Sequence, residues 1–193
     1  MIQLNPRHWQ VLKDGSQKQC ETYEILRDTG IFELLKPFDP AHVGTIGNDL
    51  DVPGSDIDII CSANDFSELS NILNDSFSTY PGFSLKTATQ RGVDALIANI
   101  ATPIPIEVYA ESTPVNNQLG YRHYLIACRV LDVFGEVAHQ DIRALKLLGH
   151  KTEPAFAEYL GLSGDPYISF LKLEQMSDQV IRLLRAARTT HTK

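Results

Sequence analysis

The 193-residue chain is short of several features that mark specialised classes of protein. Its three cysteines, Cys20, Cys61 and Cys128, are far apart, odd in number and form no Cys-x-x-Cys pair. That pattern argues against a disulfide framework or a cysteine zinc site. It points to reduced thiols in a cytoplasm, with Cys61 and Cys128 as small buried hydrophobes. No uninterrupted apolar run approaches the roughly 18 residues of a membrane span. The opening MIQLNPRHWQVLKDG is broken at Asn5-Pro6-Arg7 and lacks the apolar centre of a secretory signal. Cationic side chains are scarce as well: 17 Lys and Arg stand against 24 Asp and Glu, a net charge of −7. Coating nucleic acid rests on a basic surface, so bulk nucleic-acid binding is not expected. A phosphate-bearing small molecule needs only a few local donors or a metal ion, and stays compatible with the charge. Internal repeats and low-complexity stretches are absent too.

What is present is the composition of an ordinary globule, 43% hydrophobic and 21% charged. The length suits one domain, or a compact domain with a helical extension, able to bury about 70% of its extended surface without staples. Ser16 caps a predicted helix running to about Arg27, and Asp28-Thr29-Gly30 separates it from a second helical piece that Pro37 and Pro40 end. The middle changes period. Strands are expected at His42 to Ile46, Asp56 to Cys61, Phe83 to Thr89, Val93 to Ile100 and Ile104 to Tyr109, with a helix from Asn64 to Phe77. Arg91-Gly92 suits a hairpin, and Pro103 and Pro105 set the last strand's start at an entry position. From Val115 onward the pattern is helical. Thr152 and Asp165, each before a proline, open helices, and a last helix carries Phe170, Leu173, Met176, Val180, Leu183 and Leu184. The expected class is α+β (α/β): a mixed sheet flanked by helices over residues 1–113, and a helical C-terminal region over 114–193 packed on it or continuous with it.

The chemistry concentrates between His42 and Ile60. Alternate strand residues share a face, so Asp56 and Asp58 point one way while Ile57 and Ile59 point into the core. Two such carboxylates repel unless a cation lies between them, and hard divalent ions that share their shell with substrate phosphates fit that need. Two imitations fail. Asp49-x-Asp51 with Gly54 mimics an EF-hand, but Pro53 stands fifth and Ile60 twelfth, where a bidentate Glu is required. Gly44-Thr45-Ile46-Gly47 lacks the lysine and spacing of a P-loop. A third acid is best supplied by Glu107, flanked by inward Ile106 and Val108, with Asp94 and Glu111 in reserve.

Gly44-Thr45, ten intervening residues, Asp56-Ile-Asp58-Ile and a later Ile106-Glu107-Val108 together resemble the nucleotidyltransferase superfamily of DNA polymerase beta and the aminoglycoside nucleotidyltransferases. Two departures stand out: Thr45, where Ser or Gly is usual, and a loop without Arg or Lys between Ile46 and Ser55. Tyr121-Arg-His123, and Lys151 to Ala157 through Gly164-Asp-Pro-Tyr167, resemble a bacterial branch of that superfamily. The resemblance implies transfer of a nucleoside monophosphate from a nucleoside triphosphate to a hydroxyl of an unidentified acceptor. Asp56, Asp58 and Glu107 would ligate magnesium, two ions by analogy, with general base a further role open to Glu107. Gly44 would let backbone approach the triphosphate, and Thr45 and Ser55 would donate to its oxygens. Arg122, His123, Lys146 and Lys151 are candidate phosphate or acceptor contacts, with a solvated helix face as the plain alternative. Arg182, Arg185, Arg188 and Lys193 suit a solvated tail. Two other readings remain compatible: pyrophosphoryl transfer of the alarmone-synthetase kind, and a nucleotide-binding regulatory module without turnover.

Overall fold

The computed structural model describes residues 6–90 and 92–191, the last five by backbone alone. Arg91, the Arg188 side chain and Lys193 therefore lie outside the described residues. The chain divides into two compact units: Met1–Asp49 with Gly54–Tyr121, and Leu50–Pro53 with Arg122–Lys193.

In the first unit Ser16 opens α1 (Gln17–Thr29) through a reciprocal capping box. The Ser16 side chain accepts from the Gln19 N–H, and the Gln19 amide oxygen accepts from the Ser16 N–H. Gly30, at φ 62°, takes the left-handed turn that separates α1 from α2 (Ile31–Leu34). The sheet comprises β1 (Ala41–Val43), β2 (Ile57–Ser62), β3 (Ser84–Gln90), β4 (Val93–Ile100) and β5 (Ile106–Glu111). Its order is β1-β2-β5-β4-β3; β2 and β5 run parallel and the other pairs antiparallel. The crossover includes α3 (Phe66–Phe77), capped by Asp65, whose carboxylate accepts from the Ser67 N–H.

One face of this sheet is apolar by strict alternation. Ile57, Ile59 and Cys61, with Ile106, Val108 and Ala110 beside them, pack with Leu26, Ile31 and Leu35 and with Leu69, Leu73 and Phe77. Trp9 lies 5.4 Å from Tyr23 and 5.5 Å from Phe32 between ring centroids. The N-terminal segment is tied down by Arg7. Its guanidinium donates twice to Asp39 (2.8 and 2.6 Å), also to Asn116 and Tyr121 (2.9 Å each), and lies over the Tyr121 ring. The Pro6 carbonyl accepts from the His42 N–H on the outer side of β1.

Two strand expectations shift by two residues or more. The first strand stops at Val43 instead of Ile46, because Gly44 adopts φ +82° and the chain turns. The last begins at Ile106 rather than Ile104, since neither Pro103 nor Pro105 has an N–H to give to a ladder.

The second unit is helical: most of α4 (Leu119–Phe134), then α5 (Glu136–Leu147), α6 (Thr152–Leu160), α7 (Pro166–Leu171) and α8 (Asp178–His191). Phe156, Tyr159, Phe170 and Ile142 centre its core. The single last helix expected through Phe170 and Leu184 is broken. A 3-10 turn over Lys172–Gln175 leads to Met176 in extended conformation. Arg129 donates to the Leu173 and Met176 carbonyls, satisfying acceptors near the break. Burial pushes the Cys61 thiol up, and that of Cys128 up to about 12, so neither is a thiolate at neutral pH. Among the described residues no helix is long and apolar enough to cross a membrane.

Candidate functional site

The face of the sheet opposite the core carries the acids. Ile57 and Ile59 are fully buried, which turns Asp58 to the other side. Parallel pairing of β2 with β5 aligns Asp58 with Glu107 as direct cross-strand partners. Asp56 precedes β2 by one residue, yet the chain there is already laid along β5: the Ile57 N–H donates to the Pro105 carbonyl at 2.8 Å. Alternation puts Asp56 on the face of Asp58. All three acids are half-buried.

Gly44 has two reasons to be glycine. Its φ of +82° is unfavourable for any side chain, and a Cβ at that position would overlap the Asp58 carboxylate. β1 pairs Val43 with Asp58, so the chain leaving β1 passes directly beside this acid. Thr45 starts the turn that follows, which reverses at Asp49 with φ 57°. Gln19, from α1, steadies it by donating its amide to the carbonyls of Ile46 (2.9 Å) and Gly47 (3.2 Å). This role of Gln19 had no signal in the sequence beyond its place in the capping box. Ser55, half-buried, stands next to Asp56.

Electrostatics connects the acids. Burial, and then the charge of Asp56, push the Glu107 carboxyl above its ordinary range, while Lys86 acts in the opposite sense. Among the described residues no three His, Cys, Asp or Glu groups are gathered tightly enough to form a ready-made metal site. The donor set nonetheless fits a hard cation: three carboxylates on one sheet face, two as register partners, with a side-chain-free position beside Asp58. The reserve acids differ. Asp94 alternates onto the core side and accepts from the Thr89 hydroxyl at 2.7 Å, whereas Glu111 shares the acid face and accepts from the Tyr109 hydroxyl at 2.8 Å.

The four candidate phosphate or acceptor contacts lie in the second unit. Arg122 makes a bidentate pair with Glu174 (2.9 and 2.7 Å). His123 is buried; its Nδ1 lies 2.8 Å from Glu153 and its Nε2 3.2 Å from the Tyr167 carbonyl. Lys146 donates to the Thr152 hydroxyl at 3.2 Å, and Lys151 sits exposed at the start of α6. Asn99, Ser84 and Lys86, which the sequence did not single out, join the acid face through the register of β3 and β4.

A family model described as "Domain of unknown function (DUF4269)" matches residues 24–173. No curated protein matches the chain. Among solved structures, the Cid1 poly(U) polymerase bound to MgATP is similar at 11% identity and a TM-score of 0.50, over 81% of this chain and 48% of that one. A cytoplasmic RNA terminal U-transferase gives 12% and 0.49, over 81% and 45%. The GLD-2/RNP-8 complex gives 16% and 0.48, over 79% and 61%. The chain thus spans about half the length of the first two and 61% of the third. At such identities the likeness is one of fold, a nucleotidyltransferase-like mixed sheet flanked by helices, as the sequence led us to expect.

Proposed function

The chain belongs to the DUF4269 family, and we propose that it is a metal-dependent nucleotidyltransferase that moves a nucleoside monophosphate from a nucleoside triphosphate to a hydroxyl. The observation that carries this reading is the pairing of Asp58 with Glu107 across β2 and β5, with Gly44 clearing the space beside Asp58. Asp56, Asp58 and Glu107 are the residues to hold magnesium, two ions by analogy with the superfamily. When bound, magnesium supplies charge neutralisation for the phosphates and a lowered pKa for the attacking hydroxyl.

The chain's own groups do the rest. Gly44 and Thr45 present backbone and hydroxyl to the triphosphate, and Ser55 offers a second hydroxyl. The acceptor oxygen bonds to the α-phosphorus as the bond to the bridging oxygen breaks, and pyrophosphate leaves. Glu107, its carboxyl already pushed up, is suited to take the acceptor's proton. We assign the catalytic part to residues 1–113 and a supporting helical region to 114–193. The similar solved structures include one bound to MgATP, which supports a triphosphate substrate without identifying the acceptor.

Product analysis with labelled ATP, magnesium and an acceptor panel tests the reading. Pyrophosphate release that disappears in Asp56→Asn with Asp58→Asn supports it. Release of AMP instead would show pyrophosphoryl transfer. Magnesium-dependent ATP binding with no turnover across the panel would show a binding module.

A further inference from the structure

The acid face continues well past the acids. Asp58, Glu107, Asn99 and Ser84 are successive cross-strand partners over four strands, β2, β5, β4 and β3. A second row, one alternation step along, runs through Ile60, Tyr109, Ile97 and Lys86. Direct partners share a face, so all eight side chains project from one side of the sheet. The first row is polar throughout and grows more open toward the edge: Asp58, Glu107 and Asn99 are half-buried and Ser84 is exposed. The Asn99 amide donates to the Ser84 hydroxyl at 3.4 Å. Ile60 and Ile97 are buried, so the second row offers Tyr109 and Lys86 as its polar groups. Lys86 is exposed and is the only lysine or arginine within the five strands.

Negative charge at one end of the track is therefore answered by a single positive charge at the other, with an amide and a hydroxyl between. Lys86 lies two strand spacings of about 4.8 Å across from Glu107 and two residues, about 7 Å, along the strand, roughly 12 Å between backbones that the long side chains of both residues shorten. A small molecule that places a hydroxyl at Glu107 and an anionic group near Lys86 spans this distance. Three carboxylates repel an anion placed directly over them, so an anionic group of the acceptor is best accommodated at the Lys86 end.

We propose that the track from Glu107 through Asn99 and Ser84 to Lys86 is the acceptor-binding surface, and that the acceptor is a small hydroxylated molecule carrying a phosphate or carboxylate. The inference rests on the transfer reading above for its word "acceptor", but its geometry is independent of turnover. Lys86 holds the anion, Asn99 and Ser84 hydrogen-bond the intervening hydroxyls, and the free hydroxyl reaches the acids. Lys86 is thus a specificity-determining residue.

Amide and side-chain NMR on the full chain tests this, with glycerol 3-phosphate and glucose 6-phosphate titrated beside glycerol and glucose. The esters should shift the Asn99 side-chain amide and the backbone amides of Ser84 and Lys86, and the neutral parents should not. Lys86→Ala and Lys86→Glu should weaken the ester response by about tenfold or more, and Lys86→Arg should retain it. Equal responses to ester and parent, no response at millimolar ester, or undiminished binding by Lys86→Ala would each overturn the proposal. A lysine that serves only to keep an edge strand soluble would give those results.

A second arm adds a non-hydrolysable ATP analogue with magnesium. The esters should still reach the track; if the analogue shifts the same amides and excludes them, the anion seat belongs to the triphosphate and the acceptor assignment fails. Shifts along the track without nucleotidyl transfer would sink the transfer reading and leave an anion site. Transfer to hydroxyl acceptors that never touch these amides would sink the track alone.

Discussion

Each unit of the molecule buries a histidine, and the two are treated in opposite ways. His42, on the core side of β1, has a buried Nε2 with no partner, and burial alone pushes its pKa down to about 4. His123, in α4, has an oxygen partner near each ring nitrogen: Glu153 and the Tyr167 carbonyl. The charges around them follow the same division. In the helical unit Arg122 is matched by Glu174, Arg129 by Asp178 and Arg185 by Asp141. On the sheet, Glu107 is set beside another acid, and one lysine faces the group at a distance. Opposite charges brought together explain a fold; like charges brought together need another explanation, and a ligand is the usual one.

The strongest way to break this comparison is to disturb the sheet's acids without touching their charge. Gly44→Ala forces a Cβ against Asp58 at a positive φ. Turnover should fall by on the order of 10³-fold, with a stability loss of about 1–3 kcal/mol read by urea denaturation. Turnover within a few-fold of the parent would show that the position of Asp58 does not matter.

The histidines give the next effect. His42 has a folded value near 4 against about 6.5 unfolded, so the unfolded chain binds the extra proton between those values. Its stability contribution is complete at neutral pH and is lost as pH falls from about 6.5 toward 4, by on the order of 3 kcal/mol. Urea midpoints at pH 7 and pH 4.5 should show a smaller acid loss in His42→Leu than in the parent. An identical acid loss in both would mean that His42 is not held neutral.

Arg122→Ala separates fold from function in the helical unit. We expect a loss of about 1 kcal/mol with kcat/KM unchanged, as for a half-buried bidentate pair near the surface. A fall in kcat/KM at unchanged Tm would instead give Arg122 to the phosphate or the acceptor.

Glu107→Gln gives the smallest effect on stability. A carboxyl pushed up in the fold makes the protein lose stability as pH rises through its raised value, so the variant should gain on the parent toward neutral pH and match it near pH 4. After solvent screening the gain stays below about 1 kcal/mol, read as Tm against pH. Added magnesium should raise the parent's Tm and favour it over the variant.

Most of what the sequence revealed was local. Alternation of Asp56, Ile57, Asp58 and Ile59 is a period-two signal carried by adjacent residues, and Glu107 announced itself by its two apolar neighbours. The acid-bearing strand and the capped helices were legible for that reason. Asn99, Ser84 and Lys86 were not: a hairpin at Arg91-Gly92 ties β3 to β4, but nothing in the sequence sets the register of β4 on β5 that lays them beside Glu107. Arg122 and His123 looked free only because Glu174 and Glu153 lie 52 and 30 residues further along. The break before α8 was equally hidden: Met176 fits the apolar stripe, and the arginine that satisfies the freed carbonyls comes from α4.

The outer side of β1 has a further consequence. In a three-residue strand only the middle N–H points outward, and that of His42 is taken by the Pro6 carbonyl while Arg7 pins the segment to Asp39. The opposite edge, β3, ends the sheet with no such cover among the described residues. A sheet with one sealed border and one open border can join a second copy only open side to open side. Such joining closes on itself at two molecules, so the lattice of hydrogen bonds that builds a fibre has no second end from which to grow.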